Sequence, residues 1–114
     1  MNITETKQGN VTVIKPQGRL DSISAPEFES RMGALIDGGN RLIAVDCTEL
    51  PYVSSAGLRA FLSIAKKLKQ IHGKLVLGAL TSQVKEIFDL AGFSSILPIS
   101  STVDDAVSSC SREG

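Results

Sequence analysis

Tryptophan is absent from this chain, histidine occurs once, and aromatic residues fill only 4% of its 114 positions. Hydrophobic residues make up 42%, so a core can be buried, but it has to be aliphatic. Neither sign of charge is in excess: twelve Lys and Arg balance twelve Asp and Glu. A protein that binds nucleic acid by neutralising phosphates needs a basic surplus, which argues against that class. No apolar run approaches the length of a membrane span. The start, Met1-Asn2-Ile3-Thr4-Glu5, lacks the basic and then apolar regions of a signal peptide. No membrane association and a cytoplasmic location are therefore expected. Cys47 and Cys110 lie far apart and are expected to be reduced there. With the lone His72 they lack the spacing of metal ligands, which argues against a zinc site. Internal repeats, low-complexity tracts and linkers are also missing. The length suits one compact domain over residues 1–114.

What is present is a regular alternation of strand and helix signals. Residues 3–8 and 11–17 read as strands joined by Gly9-Asn10, two residues that tolerate a positive φ. Ser24, with Pro26 and Glu27 following, predicts a capping box. Phe28, Met32, Leu35 and Ile36 then recur on one helical face, and Gly38-Gly39 stops the helix. Leu42-Ile43-Ala44-Val45 is a continuous apolar run of the kind found in strands covered on both faces. A helix from Ser54-Ser55 is predicted to turn Leu58, Phe61, Leu62, Ala65 and Leu68 inward and to end at His72-Gly73, with His72 near the last carbonyls. Residues 74–78 read as a strand. A helix from about Ser82 places Val84, Ile87, Phe88 and Ala91 inward. Residues 96–99 read as a last strand, at an edge because of Pro98. Ser101 is predicted to cap a final helix, with Ser111 to Gly114 frayed. The fold class expected is α/β: a mixed sheet with an N-terminal antiparallel hairpin, then β-α units, with helices packed on the sheet.

The segment Asp46 to Leu58 carries the chemistry. It joins an apolar strand to an amphipathic helix through two hydroxyls and a glycine, at a corner where free amides and the helix dipole favour negative charge. That charge belongs either to a ligand or to a phosphate placed on a serine of the chain. Neither GxxxxGK[ST] nor GxGxxG occurs, so nucleotide binding is weakly supported. The surroundings of Ser55 do not match GxSxG. Seventeen residues separate Ser55 from His72, roughly 25 Å along a helix at ~1.5 Å per residue. A Ser–His pair within one chain is thereby nearly excluded. Asp21 and Asp46 offer two carboxylates of unset separation, and Asp46 equally suits hydrogen bonds from loop amides. Ser54 or Ser55 as a plain N-cap is the simplest alternative. Gly57 also suits a helix start packed closely, and Leu58 is either core or an exposed apolar contact.

A further alternative makes Ser55 the modified group. A phosphate there adds nearly two negative charges, which the helix start tolerates and a partner packed on it does not. At ~4 Å and an effective dielectric of ~20, each like-charge pair costs ~4 kcal/mol, which weakens binding ~1000-fold.

Asp46, Ser54, Ser55, Ala56, Gly57 and Leu58 closely resemble the signature of STAS domains, specifically those of bacterial anti-sigma-factor antagonists. Gly18-Arg19-Leu20-Asp21 is similar to the family's Gly-x-Leu-Asp element, and Val84 to Phe88 with Gly92-Phe93 to its third-helix region. The resemblance covers nearly the whole chain. It implies a non-enzymatic partner-switching protein of transcription regulation, without a cofactor of its own. Such a protein binds an anti-sigma factor that is also a serine-protein kinase, and is released when that kinase phosphorylates it with Mg-ATP. A metal-dependent serine phosphatase resets it. By position the modified serine is Ser55, because Gly57 fixes the spacing. Ser54 stands where many members carry Asp. The partner-binding positions implied are Asp21, Ser54, Ser55, Ala56, Gly57 and Leu58, with Asp21 read either as an acidic neighbour of Ser55 or as a loop cap. The alternative is a STAS scaffold or small-ligand-binding module that is never phosphorylated.

Overall fold

The computed structural model describes residues 1–112. Strands β1 (Asn2–Gln8) and β2 (Val11–Gln17) pair antiparallel, with Asn2 opposite Gln17 and Gln8 opposite Val11. Their two-residue turn takes a positive φ at Gly9 (63°) and not at Asn10, the pattern of a hairpin turn with glycine first. Strands β3 (Leu42–Asp46), β4 (Lys74–Gly78) and β5 (Ile99–Ser100) continue the sheet parallel to β2, in the order β1-β2-β3-β4-β5. Between and after them lie α1 (Ala25–Asp37), α2 (Ser55–Gln70), α3 (Ser82–Leu90) and α4 (Val103–Ser111). The mixed α/β architecture is the one expected.

The apolar runs of the strands are split between two cores. Ile14, Ile43, Val45, Leu75 and Leu77 face one side and pack with α1, α2 and α3. Val11, Val13, Leu42, Ala44 and Val76 face the other and meet Ala106 and Cys110 of α4. Side chains alternate along a strand, so a run apolar at every position requires cover on both faces. The scarce aromatics are concentrated rather than scattered. All four phenylalanines stand in one row, Phe28–Phe61–Phe88–Phe93, with ring centroids 5.4, 5.9 and 6.2 Å apart in edge-to-face pairs. Thr12, fully buried, donates to Asn40 Oδ1 at 2.7 Å, and Asn40 Nδ2 donates to the Leu35 carbonyl.

Several local expectations are corrected. The buried face of α2 is Leu58, Ala60, Phe61, Ile64 and Leu68, with Ala65 half-buried against the core and Leu62 half-buried outside it. The face runs through 61, 64 and 68, so a 3-4 spacing displaces the 61–62–65 reading. Ala91 is exposed, not inward, because α3 has ended at Leu90. The last strand does not span residues 96–99 but begins at Ile99, at the sheet edge as expected. A 3₁₀ turn, Phe93–Ser95, follows Gly92 (φ 76°) and buries Leu97, leaving Ile99–Ser100 as a short edge strand. Thr102, not Ser101, caps α4 by accepting from Asp105 N at 3.0 Å. The capping box at Ser24 does not form. Ser24 already has helical backbone angles (φ −88°, ψ −21°), which hold its side chain off the first-turn amides, and Glu27 sits 3.5 Å from the N-terminal amine instead. His72 adopts φ 57° just past α2, and its carbonyl accepts from Arg41 Nη1 at 3.0 Å. Ser111 closes α4; Glu113 and Gly114, expected to fray with it, lie outside the described residues.

Candidate functional site

Two loops from distant parts of the sequence are laced together above the sheet. Gly18 N donates to the Glu49 carbonyl, Leu20 N to Tyr52 (3.0 Å), and Ser54 N to Leu20 (2.9 Å). Leu20 and Val53 form an isolated parallel bridge with both side chains buried. Gly18 holds φ 112°, a conformation that favours glycine. The Gly18–Asp21 element is thus fixed against the start of α2.

Ser54 is the N-cap. Its backbone is extended, its Oγ accepts from Gly57 N at 3.3 Å, and its carbonyl accepts from Leu58 N at 2.9 Å. Ser55 is the first residue of α2 and is exposed. Ala56 is half-buried beside it. Gly57 and Leu58 are buried, Leu58 with 7% of its surface exposed. Leu58 is therefore a core residue, and with Gly57 it supports the corner from beneath instead of offering a surface. A Cβ on Gly57 would stand 2.9 Å from the Leu20 carbonyl oxygen and 2.9 Å from Val53 Cγ1. Glycine is what lets α2 start this close to the Leu20 backbone.

That closeness gives a test. Gly57→Ala is expected to destabilise the protein by about 1–2 kcal/mol, the overpacking cost less the helix propensity that alanine brings. Thermal unfolding would show it; an unchanged or higher midpoint would mean that the loop yields freely.

Asp21 is a loop cap, one of its two expected roles. Its Oδ1 accepts from the amides of Ile23 (3.0 Å) and Ser24 (3.2 Å). Ser24 Oγ in turn donates to the Arg19 carbonyl at 2.7 Å and accepts from Asp21 N at 3.0 Å. The amides of Ser24 and Ile23 hold the Asp21 carboxyl below the usual carboxylate range, so the turn persists as pH falls to that lowered value. Asp46 is likewise engaged with its own loop: its Oδ1 accepts from Thr48 N at 3.0 Å and from the Thr48 hydroxyl. The two carboxylates thus each serve a turn, and no acid–base pair is built from them. His72 sits beyond the opposite end of α2. Among the described residues there is no cluster of His, Cys, Asp or Glu that would hold a metal ion, and no helix long and apolar enough to cross a membrane. Cys47 is fully buried, and burial pushes its thiol up to about 12.

Sequence reasoning missed the neighbours of this corner. Arg19 lies over the Tyr52 ring at 4.2 Å, a cation–π contact. Lys15 pairs with Glu49 at 2.8 Å, and Gln17 donates to the same carboxylate. Ile23, in the turn capped by Asp21, is 87% exposed. No spacing signals these pairs, because each joins residues brought together only by the loop lacing.

The sequence pattern of the STAS domain matches residues 2–106. BtrV of Bordetella bronchiseptica, named a candidate anti-sigma factor antagonist, is 38% identical over 106 residues, which cover 93% of this chain and 91% of BtrV. A Thermotoga maritima protein, described as a candidate anti-sigma factor antagonist, superposes with a TM-score of 0.90 at 18% identity, over 96% of this chain and 95% of its own. The anti-sigma factor antagonist SpoIIAA superposes in its unphosphorylated form with a TM-score of 0.80 at 18% identity, over 95% of both chains. Its phosphorylated form, from Bacillus, gives 0.72 at 17% identity, over 95% of this chain and 98% of its own. At these identities the structural likenesses speak for the fold.

Proposed function

The chain belongs to the STAS domain family, among the anti-sigma factor antagonists, and on that premise we propose that it is a phosphorylation-controlled partner switch. In this reading a single domain over residues 1–114, working in the cytoplasm and not itself an enzyme, binds an anti-sigma factor that is also a serine-protein kinase. Phosphorylation of Ser55 by that kinase releases it, and a metal-dependent serine phosphatase restores it. The partner surface centres on Ser55 and Ala56, bounded by Ser54 and Asp21, with Gly57 and Leu58 holding the helix start in place.

The observation that carries this reading is the division of labour between the two serines. Ser54 Oγ accepts from the Gly57 amide and closes the helix, whereas Ser55 is exposed on the first turn. An exposed hydroxyl at that position can enter another protein's active site without unfolding its own helix. The helix dipole then accommodates the charge it gains. That SpoIIAA is known in phosphorylated and unphosphorylated forms supports the same chemistry.

The test uses an anti-sigma-class serine kinase from the same organism with Mg-ATP. Wild type is expected to take up phosphate, and Ser55→Ala to bind the kinase but take up none. Equal labelling of the two proteins would refute the assignment.

A further inference from the structure

Strands β4 and β5 lie side by side and parallel, yet the chain leaves them towards opposite faces. From β4 it runs into α3, whose Val84 and Phe88 join the larger core. From β5 it runs into α4, which covers the other face. Where the connections after neighbouring parallel strands diverge in this way, a crevice opens beyond their carboxyl ends, and open α/β sheets take ligands there. A cavity of about 550 Å³ occupies that place. Small-molecule sites usually measure ~300–1,000 Å³. It shares no lining residue with the Ser55 corner.

The lining has a definite chemistry. Four serines line the cavity, Ser82, Ser94, Ser100 and Ser101, together with one cationic residue, Lys85. Leu80 and Ile99 supply an apolar wall. No carboxylate is among the lining residues. Asp89 stands behind Lys85, which it holds at 3.1 Å, and it also accepts from the Ser94 hydroxyl. Lys85 and Ser94 are thus tied to one carboxylate.

We propose that this cavity binds a small phosphate-bearing metabolite. The phosphate oxygens accept from the serine hydroxyls and from Lys85, and the carbon body lies against Leu80 and Ile99. Binding here is independent of the Ser55 switch and does not rest on it.

The arrangement makes opposite predictions for two substitutions on the exposed side of α3. Lys85→Gln removes a charge-assisted donor and is expected to weaken binding about tenfold. Asp89→Asn removes the competitor for Lys85 and is expected to strengthen it. The experiment is an amide-resolved NMR titration of the full chain with glycerol 3-phosphate, with inorganic phosphate and glycerol as separate arms. Saturable shifts are expected at Ser82, Lys85, Ser100 and Ser101 with the phosphomonoester, weaker ones at the same amides with inorganic phosphate, and none with glycerol. The proposal is overturned if no saturable shift reaches these amides at tens-of-millimolar concentration, if shifts gather at the start of α2 instead, or if neither substitution alters the affinity.

Discussion

Ser55→Asp is expected to abolish measurable binding to the proposed partner, a serine-kinase anti-sigma factor, while leaving the fold intact. Ser55 is the first residue of α2, where a carboxylate meets the positive end of the helix dipole and gains ~0.3–1 kcal/mol. Thermal stability should therefore hold or rise slightly. The complex carries the cost. Each partner carboxylate brought within ~4 Å adds ~4 kcal/mol at an effective dielectric of ~20, or roughly a 1000-fold loss of affinity. Ser55→Asn separates charge from size, since it has nearly the same shape and no charge. The charge mechanism requires Asn to bind far more tightly than Asp. It also requires the difference between them to shrink at high ionic strength, because salt screens exposed charges. Equal binding by Ser55→Asp and wild type, measured by titration calorimetry, would contradict it.

The second large effect concerns the body that holds the corner in place. Phe61→Ala is expected to cost ~3–5 kcal/mol, a large share of the ~5–15 kcal/mol that stabilises a domain of this kind. Phe61 is fully buried on α2, and its ring lies between those of Phe28 and Phe88 at 5.4 and 5.9 Å. Removing it leaves a cavity and breaks two edge-to-face pairs at once, each worth ~0.5–1.5 kcal/mol beyond its buried area. No tryptophan is present to supply other large aromatic surface, so the row of phenylalanines has no substitute. Urea unfolding measures the loss directly. Phe61→Leu should recover more than half of it by refilling the volume. A loss below ~0.5 kcal/mol for the alanine variant would place it among ordinary surface substitutions and show that the row is not central.

Much of this is legible in the sequence itself. The order of strands and helices along the chain, and the hairpin, follow from periodicity and turn residues, because each is a local property. So does the start of α2, where two serines and a glycine sit between an apolar strand and an amphipathic helix. What the sequence hid is nonlocal. Nothing near Gly57 says that its missing Cβ makes room for the Leu20 carbonyl, thirty-seven residues upstream. Ser24 carries every mark of a capping box. Yet its hydroxyl is taken up by Arg19 and Asp21 in the loop laced to α2, so a tertiary demand overrides a local preference. The α2 face was displaced by Ile64, which the 61–62–65 spacing passes over. Residues 96–98 lost their strand to a turn set by Gly92 and the burial of Leu97. Each failure lies where backbone from a distant segment, or one core contact, decides between conformations that are locally close in energy.

The most direct measurement is to locate the phosphate on the chain by mass spectrometry, after incubation with an anti-sigma-class serine kinase and Mg-ATP, while following the complex between the two proteins. The expected result is a single phosphate on Ser55, with dissociation of the complex keeping pace with its uptake. A phosphate on Ser54, or full phosphorylation of Ser55 with the complex still intact, would contradict the switch.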